Sequence, residues 1–418
     1  MNTLKINLKF SIGYILAFVK WIVLALLVGI IGGILGSVFH ISIDYVTALR
    51  TEHGFLIYLL PIGGVLIAGM YFLFGSKVKI DTNRVIESIR RDKKIPLVMI
   101  PLIFFSTVIT HMLGGSAGRE GAALQLGGSI GHNFGRIFRL KKNDMHIIVM
   151  SGMSSVFAAL FGTPLTAAIF SLEVTSVGVF HYAGLLPCVI SSVTAAQIAK
   201  QFNLHPVHFA GVEFGRVTWG LTGQVILLAV LCAVVSIFFC IAIKKSEHLM
   251  EKLFKNRFLR AFMGGVIIVI LTMILRTHDY NGAGMDMVTK AIGGQTVPWA
   301  FLLKILFTAI TISAGFKGGE IVPAFFIGST FGCVASPLFG LDPTLGAAIG
   351  FIALFCGVVN CPVASIILSL EVFGPEGILF FAIACSVSYM MSGYFGLYES
   401  QKILYSKIND EYININTK

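Results

Sequence analysis

The sequence predicts an all-α polytopic membrane protein built from two related halves that lie inverted in the bilayer and contain broken and re-entrant helices. Three observations carry this expectation: a charge-poor apolar composition, a self-similarity at an offset near 200 residues, and basic loops whose distribution changes sign between equivalent positions. Of 418 residues, 56% are hydrophobic and 12% charged, about half the charged fraction of a soluble domain. At roughly 20 apolar residues per crossing, such a chain accommodates on the order of ten to fourteen membrane helices, with 45 Gly and 12 Pro to interrupt some of them. A soluble enzyme with this surface would aggregate. The net charge of +11 reads as an orientation signal, and no nucleic-acid partner is expected, because no basic patch is interleaved with aromatics on a soluble face.

Lys5 and Lys9 precede a long apolar run, Trp21 to Phe39. It is too long for a signal peptide and lacks a small-residue cleavage site, so it reads as the first retained span. The expected organisation is a cytoplasmic N-terminal segment (1–20), a first membrane repeat (21–200), a linker (201–217), a second, inverted repeat (218–400) and a cytoplasmic C-terminal tail (401–418). The seven cysteines all fall in apolar runs without a CxxC pair or a His partner at zinc spacing; they read as core residues, and no metal or cofactor is expected. His205 and His208 read as solvated loop residues.

The repeat rests on several anchors in one order. Gly63-Gly64-Val65 matches Gly264-Gly265-Val266, and Val85 and Ile89 match Val288 and Ile292. Gly115, Gly118, Glu120, Gly128 and Ser129 match Gly315, Gly318, Glu320, Gly328 and Ser329, and TPLTAAIFSLEV from Thr163 repeats as CPVASIILSLEV from Cys361. Loop charges orient the halves. Lys77, Lys79, Arg84, Arg90, Arg91, Lys93 and Lys94 face only Arg276 and Lys290 in the counterpart loop. Arg136 to Lys142 is basic where Leu338 to Thr344 is not, and Lys244 to Arg260 is basic where Asp44 to Gly54 holds only Arg50. A sign change between equivalent loops implies inversion under the positive-inside rule, and an inverted repeat implies a secondary transporter with its site near the midplane. The alternative is a duplication kept for folding alone.

Four acids fall in or beside apolar stretches, Glu120, Glu173, Glu320 and Glu371, and an ionisable residue at membrane depth is a functional hypothesis by default. Glu120 lies in GGSAGREGAALQLGGSIG, where glycines interrupt an apolar run and a helix begins near Gly121. A helix starting inside the bilayer turns unpaired N–H groups and the positive end of its dipole toward the midplane, which favours an anion. An ionised Glu120 occupies such a site and a protonated one vacates it, which couples an anion to a proton; the alternative is a helix-capping acid. In AGFKGGEIVPAFFIG, Pro323 reads as a first helical residue, so the backbone of Ile321 and Val322 points at the same centre. Glu320 pairs with Glu120 by repeat, with a helix-start charge as the alternative role. Glu173 and Glu371 end apolar helices, and structural pairing or capping is favoured for them. Tyr398, in GYFGLYESQK, offers a phenol that holds an anion without trapping it, or serves as an interfacial aromatic. No GK[ST] ending, HExxH or GxSG accompanies these stretches, so a phosphate-binding loop has no support. An intramembrane hydrolase using Ser116 or Ser151 has little.

These residues resemble the CLC family of anion channels and anion/proton antiporters. Gly118 to Ala122, GREGA, looks like the family's GREGP signature, Gly319 to Pro323, GEIVP, like its GxFxP, and Tyr398 like its central pore tyrosine. The resemblance spans about residues 20 to 405. It implies the CLC-type inverted-repeat fold, a homodimer with one pathway per subunit, Glu120 as the external gating glutamate, and anion-lining backbone at Gly118, Arg119, Gly121, Ile321 and Val322. No nucleotide-sensing module is expected after the membrane repeats. The family's GSGIP is absent; KIDTNRVIESI, Lys79 to Ile89, stands there, making Thr82 and Asn83 the candidate substitutes for its serine. That stretch, the GGSAGREG context and the GGE before Ile321 resemble the fluoride/proton antiporter branch, CLC-F. Val322 stands where that branch often has threonine, and the acid doublet of chloride antiporters reads Glu173-Val174. The implied activity is proton-coupled fluoride export, with a chloride/proton antiporter or chloride channel of the same fold as the alternative. The implied location is the plasma membrane, both termini cytoplasmic.

Overall fold

The structure is a computed structural model that describes residues 2–75, 81–91 and 93–418, residues 2–11 by their backbone. Lys77 and Lys79 of the basic loop fall outside the described residues, as do the side chains of Lys5 and Lys9. Long apolar runs without interior proline close their own backbone hydrogen bonds, which hydrocarbon demands. The helices form two series in the same order. The first comprises α1 (Asn2–Glu52), α2 (Leu60–Leu73), α3 (Thr82–Arg91), α4 (Met99–Met112), α5 (Glu120–Ile137), α6 (Lys142–Phe161), α7 (Pro164–Glu173) and α8 (Leu185–Gln201). The second runs α9 (Trp219–Leu253), α10 (Arg257–Leu275), α11 (Met285–Ile292), α12 (Ala300–Ser313), α13 (Ile321–Ala335), α14 (Pro343–Val359), α15 (Pro362–Phe373) and α16 (Ile378–Met391). Among the described residues, seven stretches are long and apolar enough to cross a membrane, whereas α4, α12, α14, α15 and α16 have only 12 to 17 residues. A helix of 12 residues rises about 18 Å, too little for a core of about 30 Å; these are the broken segments of the fold.

Equivalent breaks use equivalent backbone. α6 ends on left-handed Gly162 and α14 on left-handed Asn360, each two residues before the proline that opens the next helix. A Cβ at Gly162 would lie 2.5 Å from Pro206, so the first break requires glycine, while Asn360 uses its amide to donate to the Phe395 carbonyl at 2.9 Å. Within each half the central helices meet through glycine. A Cβ at Gly127 would stand 2.1 Å from the Gly152 carbonyl oxygen, and one at Gly328 2.2 Å from that of Gly350. Bare backbones therefore set the distance between α5 and α6 and between α13 and α14.

The segments expected to be tails or linkers are ordered parts of the fold. Residues 2–20 continue α1 without a break. In the linker, Val207 donates to the Phe161 carbonyl at 3.1 Å and Phe209 to that of Val372 at 2.9 Å, so it is bonded to both halves. After α16, β2 (Lys402–Tyr405) and β3 (Tyr412–Asn416) form an antiparallel hairpin, and β2 pairs in parallel with β1 (Ser176–Val177) just beyond α7.

Candidate functional site

α5 and α13 begin back to back. The Gly118 amide donates to the Gly319 carbonyl at 2.7 Å, and the Gly319 amide returns a bond to the Gly118 carbonyl at 2.6 Å. The residues just before the two helices, Arg119 and Glu320, have nearly the same backbone angles, φ −103°, ψ −11° and φ −98°, ψ −8°. Both features relate the halves by 201 residues at this point. The sequence match at 200, which pairs Glu120 with Glu320, is therefore one residue out of register: Glu120 corresponds to Ile321, and Glu320 to Arg119. One residue is about 100° of helix rotation, which sends the two carboxylates to different sides of the junction. Pro323 is the third helical residue, not the first; its missing N–H is still one of the four that no carbonyl of the helix would accept.

Glu120 opens α5 and is fully buried. No donor among the described residues reaches either carboxylate oxygen with hydrogen-bond geometry, although backbone N–H groups of Glu120, Val322 and Arg119 approach it. The carboxylate thus lies between the start of its own helix and the start of α13. The Arg119 Nε atom is 4.0 Å from Glu120 Oε1, and its guanidinium donates to Asp44 at 2.8 Å. Asp44 is 24 residues along α1 from Lys20, about 36 Å, and Lys20 pairs with Asp144 at the start of α6 at 2.5 Å. Arg119 therefore faces the end of the bundle opposite to Lys20.

Glu320 lines a cavity of about 450 Å³ together with Thr82, Asn83, Gln125, Lys317 and Tyr398. The same cavity reaches Asp81, Lys244, Arg257 and Arg260, so the start of α3 and the basic turn from α9 to α10 share one face, as inversion requires. Thr82 accepts from the Gln125 amide at 3.1 Å, with its own hydroxyl 3.5 Å from the Gly121 carbonyl. The side-chain oxygen of Asn83 accepts from the Ser400 amide at 3.0 Å. Tyr398 is buried, its hydroxyl has no hydrogen-bond partner among the described residues, and it lies within electrostatic reach of Glu320 and Glu120.

Glu173 and Glu371 stand apart from this centre and answer one another. Glu173, at the end of α7, accepts from the amides of Val363 at 3.2 Å and Ala364 at 2.9 Å, at the start of α15. Glu371, near the end of α15, accepts from Leu165 at 2.9 Å and Thr166 at 2.8 Å, at the start of α7. Each half supplies the acid that caps the other's broken helix, and both helices are short. His205 and His208 are exposed in the linker.

Attention to acids alone overlooks the cations. Lys304, fully buried in α12, donates to the carbonyls of Gly282 at 2.7 Å and Tyr280 at 3.2 Å, with its ammonium 5.1 Å from the Phe326 ring centre. Arg50 donates to the His111 carbonyl at 2.6 Å, and His111 lies within electrostatic reach of Arg50, Arg119 and Lys304. A single Lys in the apolar run 300–313 is the signal that would have found this group. Gln125 left no such signal, because a lone amide in a Gly-rich stretch points to no chemistry.

Broken helices meeting tip to tip around a buried carboxylate define the class of membrane proteins that pass an ion through an inverted repeat. Within that class, the model of the voltage-gated chloride channel family matches residues 63–393, and the chain belongs to that family, the CLC proteins. The chloride/fluoride channel protein of Pseudomonas syringae pv. tomato is 36% identical over 395 residues, covering 93% of this chain and 87% of that protein. The H(+)/Cl(-) exchange transporter ClcA of Vibrio cholerae serotype O1 is 26% identical over 289 residues, 65% of this chain and 62% of that protein. The crystal structure of a CLC-type fluoride/proton antiporter superimposes with a TM-score of 0.88 at 31% identity, covering 92% of this chain and 98% of that one.

Proposed function

We propose that the protein exchanges a halide, fluoride in first place, for protons across the cell membrane. The observation that carries this reading is the Glu120 carboxylate, buried where two helix starts converge and approached there by backbone N–H groups, with the Arg119 Nε atom 4.0 Å away. Those N–H groups, of Arg119, Glu120 and Val322 with Gly121 and Ile321 beside them, suit a small anion as well as a carboxylate, whereas the Gly118 N–H is taken by the Gly319 carbonyl. When Glu120 takes a proton it releases them, and an anion enters; when the anion leaves, the ionised side chain returns. Tyr398 donates to the anion on the cavity side, and Thr82 and Asn83 line its approach. Glu320, in the same cavity, is the acid through which protons meet the pathway from that side.

The face that carries Arg84, Arg136, Lys244, Arg260 and the C-terminal hairpin is cytoplasmic by the positive-inside rule, which places both ends of the chain inside. The repeats are assigned to 21–200 and 218–400, and the working unit to a homodimer with one pathway per subunit. Transport rather than catalysis is the activity: the Ser116 hydroxyl pairs with Thr308 at 3.1 Å and that of Ser151 donates to the Ile147 carbonyl at 2.9 Å.

In proteoliposomes, fluoride should leave faster than chloride and drive protons the opposite way. Glu120→Gln should abolish the proton movement, and coupling that survives it ends the gating assignment. The hydrocarbon side chain of Val322, adding no hydroxyl to the backbone donors, favours a second reading in which chloride is the substrate. Chloride release as fast as fluoride release would decide for it.

A further inference from the structure

Tyr398 is carried by residues 392–401, which belong to neither helix nor strand. A backbone without a ladder of its own must find hydrogen bonds elsewhere, and this one finds many of them in the end of the chain. Thr417 donates its hydroxyl to the Tyr398 carbonyl at 2.6 Å, and the Gln401 amide donates to the same oxygen at 2.8 Å. The Thr417 amide donates to the Gln401 carbonyl at 3.2 Å, Lys418 to the Tyr394 carbonyl at 2.7 Å, and Gly396 to the Lys418 carbonyl at 3.3 Å.

Gln401 is fully buried with both ends of its amide used. Its nitrogen donates to the carbonyls of Val174 at 3.0 Å and Val359 at 2.8 Å, and its oxygen accepts from Asn360 at 3.2 Å. Lys407, in the hairpin turn, donates to the Asn360 side chain at 2.5 Å, the Tyr389 carbonyl at 2.9 Å and Ser392 at 3.1 Å. The hairpin is therefore bonded to the end of α7 through β1 and Val174, to the break after α14, and to both flanks of Tyr398. A phenol at the end of a rigid ring turns any tilt of this backbone into displacement of its hydroxyl, and a binding group works only when its support holds it to within about 0.5 Å.

We propose that the C-terminal hairpin is a positioning clamp for the anion pathway: Thr417 and Gln401 fix the Tyr398 backbone and thereby aim its hydroxyl. The clamp rests on the reading of Tyr398 as an anion ligand. Two measurements on the full-length protein test it. In hydrogen exchange, amides 394–401 should open at least tenfold faster in Thr417→Val and return to wild-type protection in Thr417→Ser; unchanged exchange in the valine variant overturns the clamp. In vesicle efflux at graded fluoride concentration, Thr417→Val should raise the half-saturating concentration threefold or more with a smaller change in maximal rate, and Thr417→Ser should restore it. In a Tyr398→Phe background the valine change should add nothing, because both act through one hydroxyl. Full additivity, or faster exchange with unaltered efflux, overturns the positioning role. A wild-type protein that moves no halide overturns the transport reading instead, and the clamp is then decided by exchange alone.

Discussion

Replacement of Glu173 by Ala separates a structural acid from a proton-carrying one. The carboxylate is 9% exposed and accepts two amides at 3.2 and 2.9 Å from the first turn of α15. Those amides have no carbonyl of their own helix to bond. A hydrogen bond to a charged group contributes about 1.5–3 kcal/mol, and a buried donor left unpaired costs a similar amount. Two such bonds put the expected loss for Glu173→Ala at about 3–6 kcal/mol. Glu173→Gln keeps one acceptor oxygen and should lose about half of that. The equivalent change at Glu371, a more exposed acid that accepts the corresponding pair of amides from Leu165 and Thr166, should cost less than Glu173→Ala. Chemical unfolding in detergent micelles measures all three. The capping argument is refuted if Glu173→Ala unfolds within about 0.5 kcal/mol of wild type, or if Glu173→Gln keeps its stability and loses proton coupling.

Two further outcomes follow from packing and burial. Gly127→Ala should destabilise the protein by about 1–3 kcal/mol and slow efflux, since its Cβ would meet the Gly152 carbonyl oxygen at 2.1 Å, and backbone cannot swing aside; Gly220→Ala, with nothing within 4 Å, is the control and should be neutral, and equal behaviour of the two rejects the close-approach argument. Burial pushes the Lys407 ammonium down from 10.5 to about 8. Below pH 8 the folded hairpin bears the full cost of the buried charge, and between about 8 and 10.5 only the unfolded form keeps the proton, so stability rises with pH across that window. Hairpin amide protection, corrected for intrinsic exchange, should increase from pH 7.5 to 9.5 in wild type and stay flat in Lys407→Met; a flat wild-type profile refutes it.

The architecture was legible because bilayer physics leaves few options: apolar length gives helices, basic loops give direction, and a repeated SLEV gives the duplication. The Glu120 centre was legible for a related reason, since an acid at a Gly-rich helix start inside hydrocarbon admits few uses. What escaped was register and partnership. Glu120 and Glu320 share a letter at offset 200, but geometry relates the halves at 201, matching Glu120 to Ile321 and Arg119 to Glu320, and a one-residue slip cannot be seen where Gly-Gly runs align equally well either way. Glu173 and Glu371 looked like a symmetric pair, yet the sequence could not say that each binds the other's helix. Lys304 went unread because its partners are carbonyls, which every residue has. The C-terminal residues were polar enough to pass for a tail; their strands depend on β1 and on Tyr398's carbonyl, contacts separated by up to hundreds of positions.

The exchanged caps bear on how the chain is made. When a ribosome has delivered only α1 to α8, the start of α7 stands in the membrane without Glu371, which is some 170 residues from synthesis beyond Gln201. The nascent first half must hold an unfinished helix end until α15 inserts and each carboxylate meets the helix start of the other half. Both caps therefore close only once α15 is in place, and a variant lacking either glutamate should betray itself first to the quality control of the inserting cell.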